Sequence, residues 1–253
     1  MIPSHDNHVF GIHAVIEAIQ AGKEIDRLLV KKDLSSDLAR ELLDVARSHS
    51  VPVQRVPVER INRITRKNHQ GVVALLAAVT YYKVEQVVPM LFEQGDNPFI
   101  VVLDGVTDVR NFGAIARTCD CAGVNAIVIP ERGSVTVGGD AIKTSAGALN
   151  YVPVCRERDL AQTLRFLKDS GFVIVGTSDK NACNYTQADY TVPVAIVLGS
   201  EERGISPEVM RLCDKRVVIP EFGHINSLNV SVAGGIILYE VVRQRLADHQ
   251  IVD

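Results

Sequence analysis

The chain has no uninterrupted apolar run near the ~18 to 20 residues that a membrane-spanning helix needs. Its first residues, Met1-Ile2-Pro3-Ser4-His5-Asp6, lack the charged-then-apolar order of a signal peptide, so a cytoplasmic protein is expected. Cysteine is scattered and odd in number. Cys119, Cys121, Cys155, Cys183 and Cys213 include no C-x-x-C pair, which excludes a secreted disulfide framework and a zinc ribbon and leaves the thiols as expected bystanders, with no metal. A composition 47% hydrophobic and 23% charged rules out intrinsic disorder, and 253 residues suggest two domains.

Excess positive charge is also missing, since the net charge is −3. That average hides a gradient. Over residues 1–80, 11 Lys and Arg stand against 9 Asp and Glu, giving +2, and the remainder, 16 against 21, gives −5; the two sum to the total of −3. Within the first part, Arg55, Arg60, Arg63, Arg66 and Lys67 are interrupted by the single acid Glu59.

Common phosphate and hydrolase signatures are absent as well. No G-x-G-x-x-G follows a strand-like run, and Gly133-Ser134-Val135-Thr136-Val137-Gly138 is followed by Gly139-Asp140 where a phosphate loop requires Lys-Ser/Thr. No G-x-S-x-G elbow occurs.

What is present is a repeated theme beyond residue 97. Phe99 to Leu103, Ala126 to Ile129, Phe172 to Val175, Val194 to Leu198 and Arg216 to Ile219 are short, continuous, β-branched runs, the pattern of strands buried on both faces. Helical stretches such as Asp159 to Ser170, with Leu160, Leu164 and Leu167 on one face, separate most of them and predict a parallel α/β sheet. Residues 1–80 read as a small α/β domain of their own, with strands at Arg27 to Val30, Val51 to Val56 and Val72 to Leu76 and a helix from Ser36 to Ser48. Residues 81–97, a polar helix closing on Gly95-Asp96-Asn97-Pro98, read as the connector to a domain spanning 98–253.

Polar residues crowd just past the carboxyl ends of three runs, where open α/β sheets hold their ligands. These loops contain Asn111-Phe112-Gly113-Ala114-Ile115-Ala116-Arg117, Gly199-Ser200-Glu201-Glu202-Arg203-Gly204 and Ser227-Leu228-Asn229-Val230-Ser231. Together and in this order they resemble the three motifs of the SpoU (TrmH) family of RNA ribose 2′-O-methyltransferases, within the knotted SPOUT superfamily. Val9-Phe10-Gly11-Ile12-His13-Ala14-Val15 and His69-Gln70-Gly71-Val72-Val73-Ala74 resemble the small ribosomal-protein-like substrate domain that many members carry. The layout is most similar to members that methylate a guanosine ribose of large-subunit ribosomal RNA.

The resemblance implies a mostly parallel α/β sheet flanked by helices and ending in a C-terminal trefoil knot. It also implies S-adenosylmethionine as cofactor and a homodimer with the site near its interface. Gly199, Ile219 and Leu228, with Thr177 and Ser178, are the implied cofactor contacts. The implied catalytic residues are Asn111, Arg117, Glu201, Ser227 and Asn229. The patch Arg63, Arg66, Lys67 and His69 is the expected RNA contact, against the alternative of a solvated helix face.

Such a reaction needs the ribose hydroxyl in line with a methyl sulfonium, an acceptor for its proton and a stabiliser for the emerging alkoxide. Positioning supplies ~7 to 11 kcal/mol, whereas a placed base supplies ~10² to 10⁴-fold, or roughly 3 to 5 kcal/mol, so geometry should dominate. Arg117 fits poorly as a base, because a guanidinium pKa lies above ~12. It is expected to grip a phosphate or the alkoxide, with the proton passing to that phosphate, Glu201 or water.

Plainer readings exist for each residue. Asn111 and Asn229 stand near helix starts and could be N-caps, Arg117 a surface arginine, and Glu201-Glu202 a solvated pair. Val109 and Glu221 depart from the family's usual residues and bear on substrate choice. Transfer RNA as substrate, a catalytically idle RNA-binding or ribosome-assembly factor, and a nucleotide-dependent enzyme on an unknotted sheet are the competing expectations.

Overall fold

Runs of β-branched residues alternating with amphipathic helices build two separate sheets. The computed structural model describes residues 8–95, 97–178, 181–224 and 227–249. It divides into two compact units: the described residues up to Thr80 with Thr136–Asp140, and those from Tyr81–Val135 with Ala141 onward.

The first unit contains β1 (His8–Phe10), α1 (Ile12–Gln20), β2 (Ile25–Lys31), α2 (Asp37–Ser48), β3 (Val53–Val56), α3 (Val58–Asn62) and β4 (Val72–Leu76). Its four strands lie in the order β1-β4-β2-β3, with only β2 and β3 parallel. Ile12, Val15, Ile16 and Ile19 of α1 and Leu42 and Ala46 of α2 cover Leu28, Val30, Val72 and Ala74 on one face of the sheet. Leu29, Val73, Val56 and Ile61 form a smaller cluster on the other. Helix α2 starts where Ser36 Oγ accepts the Ala39 N–H at 3.1 Å. Pairing of Phe10 with Val73 joins the two family-like segments, and Gln70 Oε1 accepts the Ile12 N–H at 3.0 Å.

The second unit contains β5 (Tyr81–Tyr82), α4 (Val84–Glu93), β6 (Phe99–Asp104), α5 (Val109–Cys121), β7 (Ala126–Pro130), α6 (Gly139–Thr144), β8 (Val154–Glu157), α7 (Leu160–Asp169), β9 (Val173–Thr177), β10 (Cys183–Asn184), β11 (Val194–Gly199), α8 (Pro207–Met210), β12 (Lys215–Val218) and α9 (Val230–His249); of α6, Gly139 and Asp140 group with the first unit. All eight strands are parallel, in the order β10-β12-β9-β11-β6-β7-β8-β5. The central pair, β6 and β11, is buried on both faces, which explains its unbroken apolar sequence.

Residues 81–93, expected to connect two domains, are built into this second unit. Strand β5 pairs with β8, and α4 buries Val84, Val87, Val88 and Leu91 in the core beneath the sheet. The Arg156 guanidinium lies 3.9 Å from the Tyr81 ring centroid. Glu157 accepts the Val84 N–H at 2.9 Å and faces Lys83 Nζ at 3.3 Å. Burial raises the Glu157 pKa, opposed by the Val84 N–H and the Lys83 charge. The polar outer face of α4 hid a buried inner one.

Helix α9 is held at its far end. Arg245 donates to Tyr190 O at 3.0 Å, Val192 O at 3.0 Å and Asn97 O at 2.7 Å, and Gln244 bridges Tyr190 N and Ala188 O. Among the described residues no helix is long and apolar enough to cross a membrane. Burial pushes the Cys155 thiol up to about 12 and that of Cys213 up to about 11, so neither is a nucleophile at neutral pH.

Candidate active site

Three loops leave the carboxyl ends of β6, β11 and β12 and converge. The first enters α5 through Asp108, whose carboxylate caps the helix by accepting the N–H groups of Arg110 and Asn111, each at 2.9 Å. Asp108, not Asn111, is therefore the N-cap. Asn111 lies inside the first turn, leaving its amide side chain for other partners.

The second loop is a tight turn in which Ser200 and Gly204 exchange backbone hydrogen bonds of 3.1 and 2.9 Å. It is closed by the absence of a side chain at Gly199: a Cβ there would lie 2.1 Å from Gly204 C and 2.2 Å from Ile205 N. The turn projects Glu201.

The third loop runs into α9 through Asn229, whose Oδ1 accepts the Ser231 N–H at 2.9 Å and the Ser231 hydroxyl at 2.6 Å. The capping reading holds here, and it leaves the amide nitrogen of Asn229 for other partners. With Oδ1 turned toward Ser231, Nδ2 donates to Glu201 Oε1 at 2.6 Å and to Asn111 Oδ1 at 3.0 Å. Asn111 Nδ2 donates to the same Glu201 oxygen at 2.9 Å. Residues 90 and 118 positions from Asn111 thus close a three-membered ring of hydrogen bonds. Two amides hold Oε1, and Glu201 Oε2 receives no hydrogen bond from the described residues.

Beside the ring lies a cavity of about 540 Å³ whose wall includes all five expected cofactor residues, Thr177, Ser178, Gly199, Ile219 and Leu228, together with Glu201 and Ser227. Its volume is within the usual range for a small-molecule site. Leu198, Val217 and Ile237 give it an apolar back, and Ser178, Glu201 and Ser227 a polar mouth. That division suits S-adenosylmethionine, with an aromatic base at one end and charged groups at the other.

Two expected residues stand apart from the ring. Ser227 lines the cavity but makes no hydrogen bond among the described residues. Arg117 is exposed, without a hydrogen-bond or ion-pair partner among the described residues, and does not line the cavity. Six positions after Asn111 on α5, it is displaced about 9 Å along the helix and about 240° around it.

In the first unit, Arg63 and Arg66 line a cavity of about 710 Å³ with Glu59 and Asn62, and the Lys67 ammonium lies 5.7 Å from the Phe10 ring centroid. His69 is braced by both ring nitrogens: Nδ1 accepts the Gly71 N–H at 2.9 Å and Nε2 meets Asn62 Oδ1 at 2.8 Å. The supporting residues Asp108 and Ser231 were not singled out from sequence, although Asp three positions before Asn111 and Asn-x-Ser at 229–231 are local capping signals.

Residues 98–239 match the SpoU rRNA methylase family, and residues 8–82 match the RNA 2′-O ribose methyltransferase substrate-binding domain. The chain belongs to the SpoU methylase family. It is an S-adenosylmethionine-dependent RNA methyltransferase by that membership. A Staphylococcus saprophyticus protein assigned to the TrmH family of tRNA/rRNA methyltransferases is 39% identical over 237 residues, covering 94% of this chain and 95% of that one. An AdoMet-bound rRNA methyltransferase from Sinorhizobium meliloti superposes with a TM-score of 0.60 at 27% identity, covering 93% of this SpoU protein and 86% of its own chain. The A. aeolicus TrmH/SpoU tRNA modifying enzyme superposes with a TM-score of 0.55 at 35% identity, covering 66% and 86% of the two chains.

Proposed function

We propose that the protein transfers a methyl group from S-adenosylmethionine to a ribose 2′-hydroxyl, and that the ribose belongs to a guanosine of large-subunit ribosomal RNA. The carrying observation is the Glu201 carboxylate, fixed through one oxygen by Asn111 and Asn229, with its second oxygen open beside the cavity. The bound cofactor supplies an electrophilic methyl group. Glu201 Oε2 orients the ribose hydroxyl and accepts its proton as the methyl group is transferred, and the two amides keep that carboxylate from rotating away. Ser227 and the backbones of Gly199, Ile219 and Leu228 hold the cofactor.

The ribosomal target is supported by how much of the chain is matched. The ribosomal RNA methyltransferase matches both units, whereas the transfer RNA enzyme covers two-thirds of the chain. Mapping ribose methylation across total RNA from cells with and without the gene tests this. Loss at one large-subunit guanosine is expected, and loss at a transfer RNA position overturns the target.

Arg63, Arg66, Lys67 and His69 contact RNA in this reading, with His69 shaping the loop that presents the three cations. Neutralising Arg63, Arg66 and Lys67 together is expected to flatten the salt dependence of RNA affinity, by about 0.7 to 0.9 in log–log slope for each phosphate that is no longer neutralised. An unchanged slope rejects the patch.

The active form is a homodimer. Val232, Tyr239 and Leu246, at spacings of seven on α9, leave 51%, 51% and 59% of their surface exposed as one apolar stripe. Helix α5 packs beside α9 at Thr118 and Gly235, so a second copy on the stripe brings Arg117 next to the interface, where it grips an RNA phosphate or the alkoxide. Light scattering is expected to give twice the chain mass for the wild type and a single chain mass for a Tyr239→Glu, Leu246→Glu double variant. In this reading, which rests on membership of the SpoU family, the C-terminal segment threads as a knot, and Gln244 and Arg245 tie its far end to residues 188–192.

A further inference from the structure

A second cavity, of about 650 Å³, opens at the carboxyl edge of the same parallel sheet, above β6, β7 and β8. Arg132, after β7, and Arg158, after β8, line it. Both are exposed, and neither has a hydrogen-bond or ion-pair partner among the described residues. Several other arginines of this unit are engaged, such as Arg243 with Glu240 and Arg245 with three carbonyls.

The cavity adjoins the cofactor site. Gly105 lines the second cavity and Ser200 the first, and a Cβ at Gly105 would lie 3.4 Å from Ser200 Cβ, so these residues form the ridge between the two. Asp104 braces that ridge by accepting the Ser206 N–H at 2.7 Å. A chain passing from one cavity to the other crosses the loop that carries Glu201.

We infer that this groove holds the RNA backbone beside the target nucleotide, with Arg132 and Arg158 each gripping a phosphate. The guanidinium fork matches phosphate geometry, and cations left unpaired in the free protein lose no ion pair on binding. The lining also includes three carboxylates, so the groove has no positive excess: Asp104, Asp159 and Glu208 against two arginines. Asp104 and Asp159 are each tied to a backbone N–H, of Ser206 and Gln162, at 2.7 and 3.0 Å. Glu208 makes no such bond among the described residues and opposes a phosphate most directly. Attraction here comes from local pairing at the arginines, and removal of the Glu208 charge strengthens it.

The inference rests on the RNA methyltransferase reading, and one assay separates the two. Methyl transfer is measured with ribosomal RNA from cells lacking the gene, using the full-length protein between about 50 and 200 mM salt. An Arg132→Ala, Arg158→Ala double variant is expected to raise KM for RNA about tenfold or more. The salt slope should fall by about 0.7 to 0.9 per phosphate released. Its kcat and its calorimetric affinity for S-adenosylmethionine should stay within about twofold of wild type, and Glu208→Gln should lower KM. Should the alanine pair lose cofactor affinity, Arg132→Gln with Arg158→Gln is read by the same slope. Wild-type KM and slope in a variant that binds cofactor overturn the groove. No transfer by the wild type to any RNA overturns the reading beneath it.

Discussion

Glu201→Gln is expected to lower kcat by about 10² to 10⁴ while leaving the affinity for S-adenosylmethionine nearly unchanged. The substitution preserves size and keeps an oxygen able to accept from Asn111 and Asn229, whose donors stand 2.9 and 2.6 Å from Oε1. What changes is the second position. An amide NH₂ there faces the ribose hydroxyl with donors in place of an acceptor, so the proton has nowhere to go and the hydroxyl is pushed out of line. Single-turnover methyl transfer, with cofactor binding measured separately, reads the two effects apart. A variant that retains more than about a tenth of the wild-type kcat contradicts the assignment of Oε2 as the hydroxyl's partner.

Gly199→Ala should be the most damaging single methyl group in the second unit. Its Cβ would fall 2.1 Å from Gly204 C and 2.5 Å from Gly204 O, both backbone atoms that no rotamer change can move. The 200–204 turn must open, carrying Glu201 away from Asn111 and Asn229 and distorting the cofactor wall. A cost of about 3 kcal/mol or more is expected, a loss of roughly 6 to 12 °C in Tm for a chain this size. Gly204→Ala is the control: it has open space around it and is strained only by a φ of 64°, worth about 1 to 2 kcal/mol. If the two variants melt alike, the close approach at Gly199 does not hold the turn.

Much of this architecture was legible from residue pattern because burial leaves a direct imprint. Strands β6, β7, β9, β11 and β12 lie where the apolar runs fall; β6, β7 and β11 are covered on both faces and need apolar residues at nearly every position, whereas β12 is partly open and buries only Val217. Strand β8 was silent because Val154-Cys155-Arg156-Glu157 carries two charged residues at the sheet's carboxyl edge. Strand β5 is two tyrosines, too short for any periodicity. Helix α4 has enough polar residues on its solvent side to read as a connector, and only its contacts show the apolar side.

The site shows the same division. Motif order brought Asn111, Glu201 and Asn229 to attention, and the sheet places them in one hydrogen-bonded ring. No sequence rule could give the direction of each amide, because it depends on partners distant in sequence or on local capping: Ser231 turns Asn229 Oδ1 toward itself, and Glu201 and Asn229 hold the Asn111 amide. Arg117 illustrates the converse. Its place in the motif put it with the others, yet six residues of helix turn it to a different face of α5. In α9 a Cβ at Gly234 would meet Leu198 Cδ1 at 2.9 Å, so the helix lies close against β11 at that position, while one at Gly235 would make only an ordinary contact with Thr118.

The central claim is that this site delivers a methyl group to a sugar oxygen of RNA. The most direct measurement digests RNA to nucleosides after incubation with labelled S-adenosylmethionine and asks by mass spectrometry which moiety carries the label. Label on the ribose of guanosine, absent when Glu201 is glutamine, is the predicted result. Label on a base, or none on RNA while the cofactor is bound, contradicts the account.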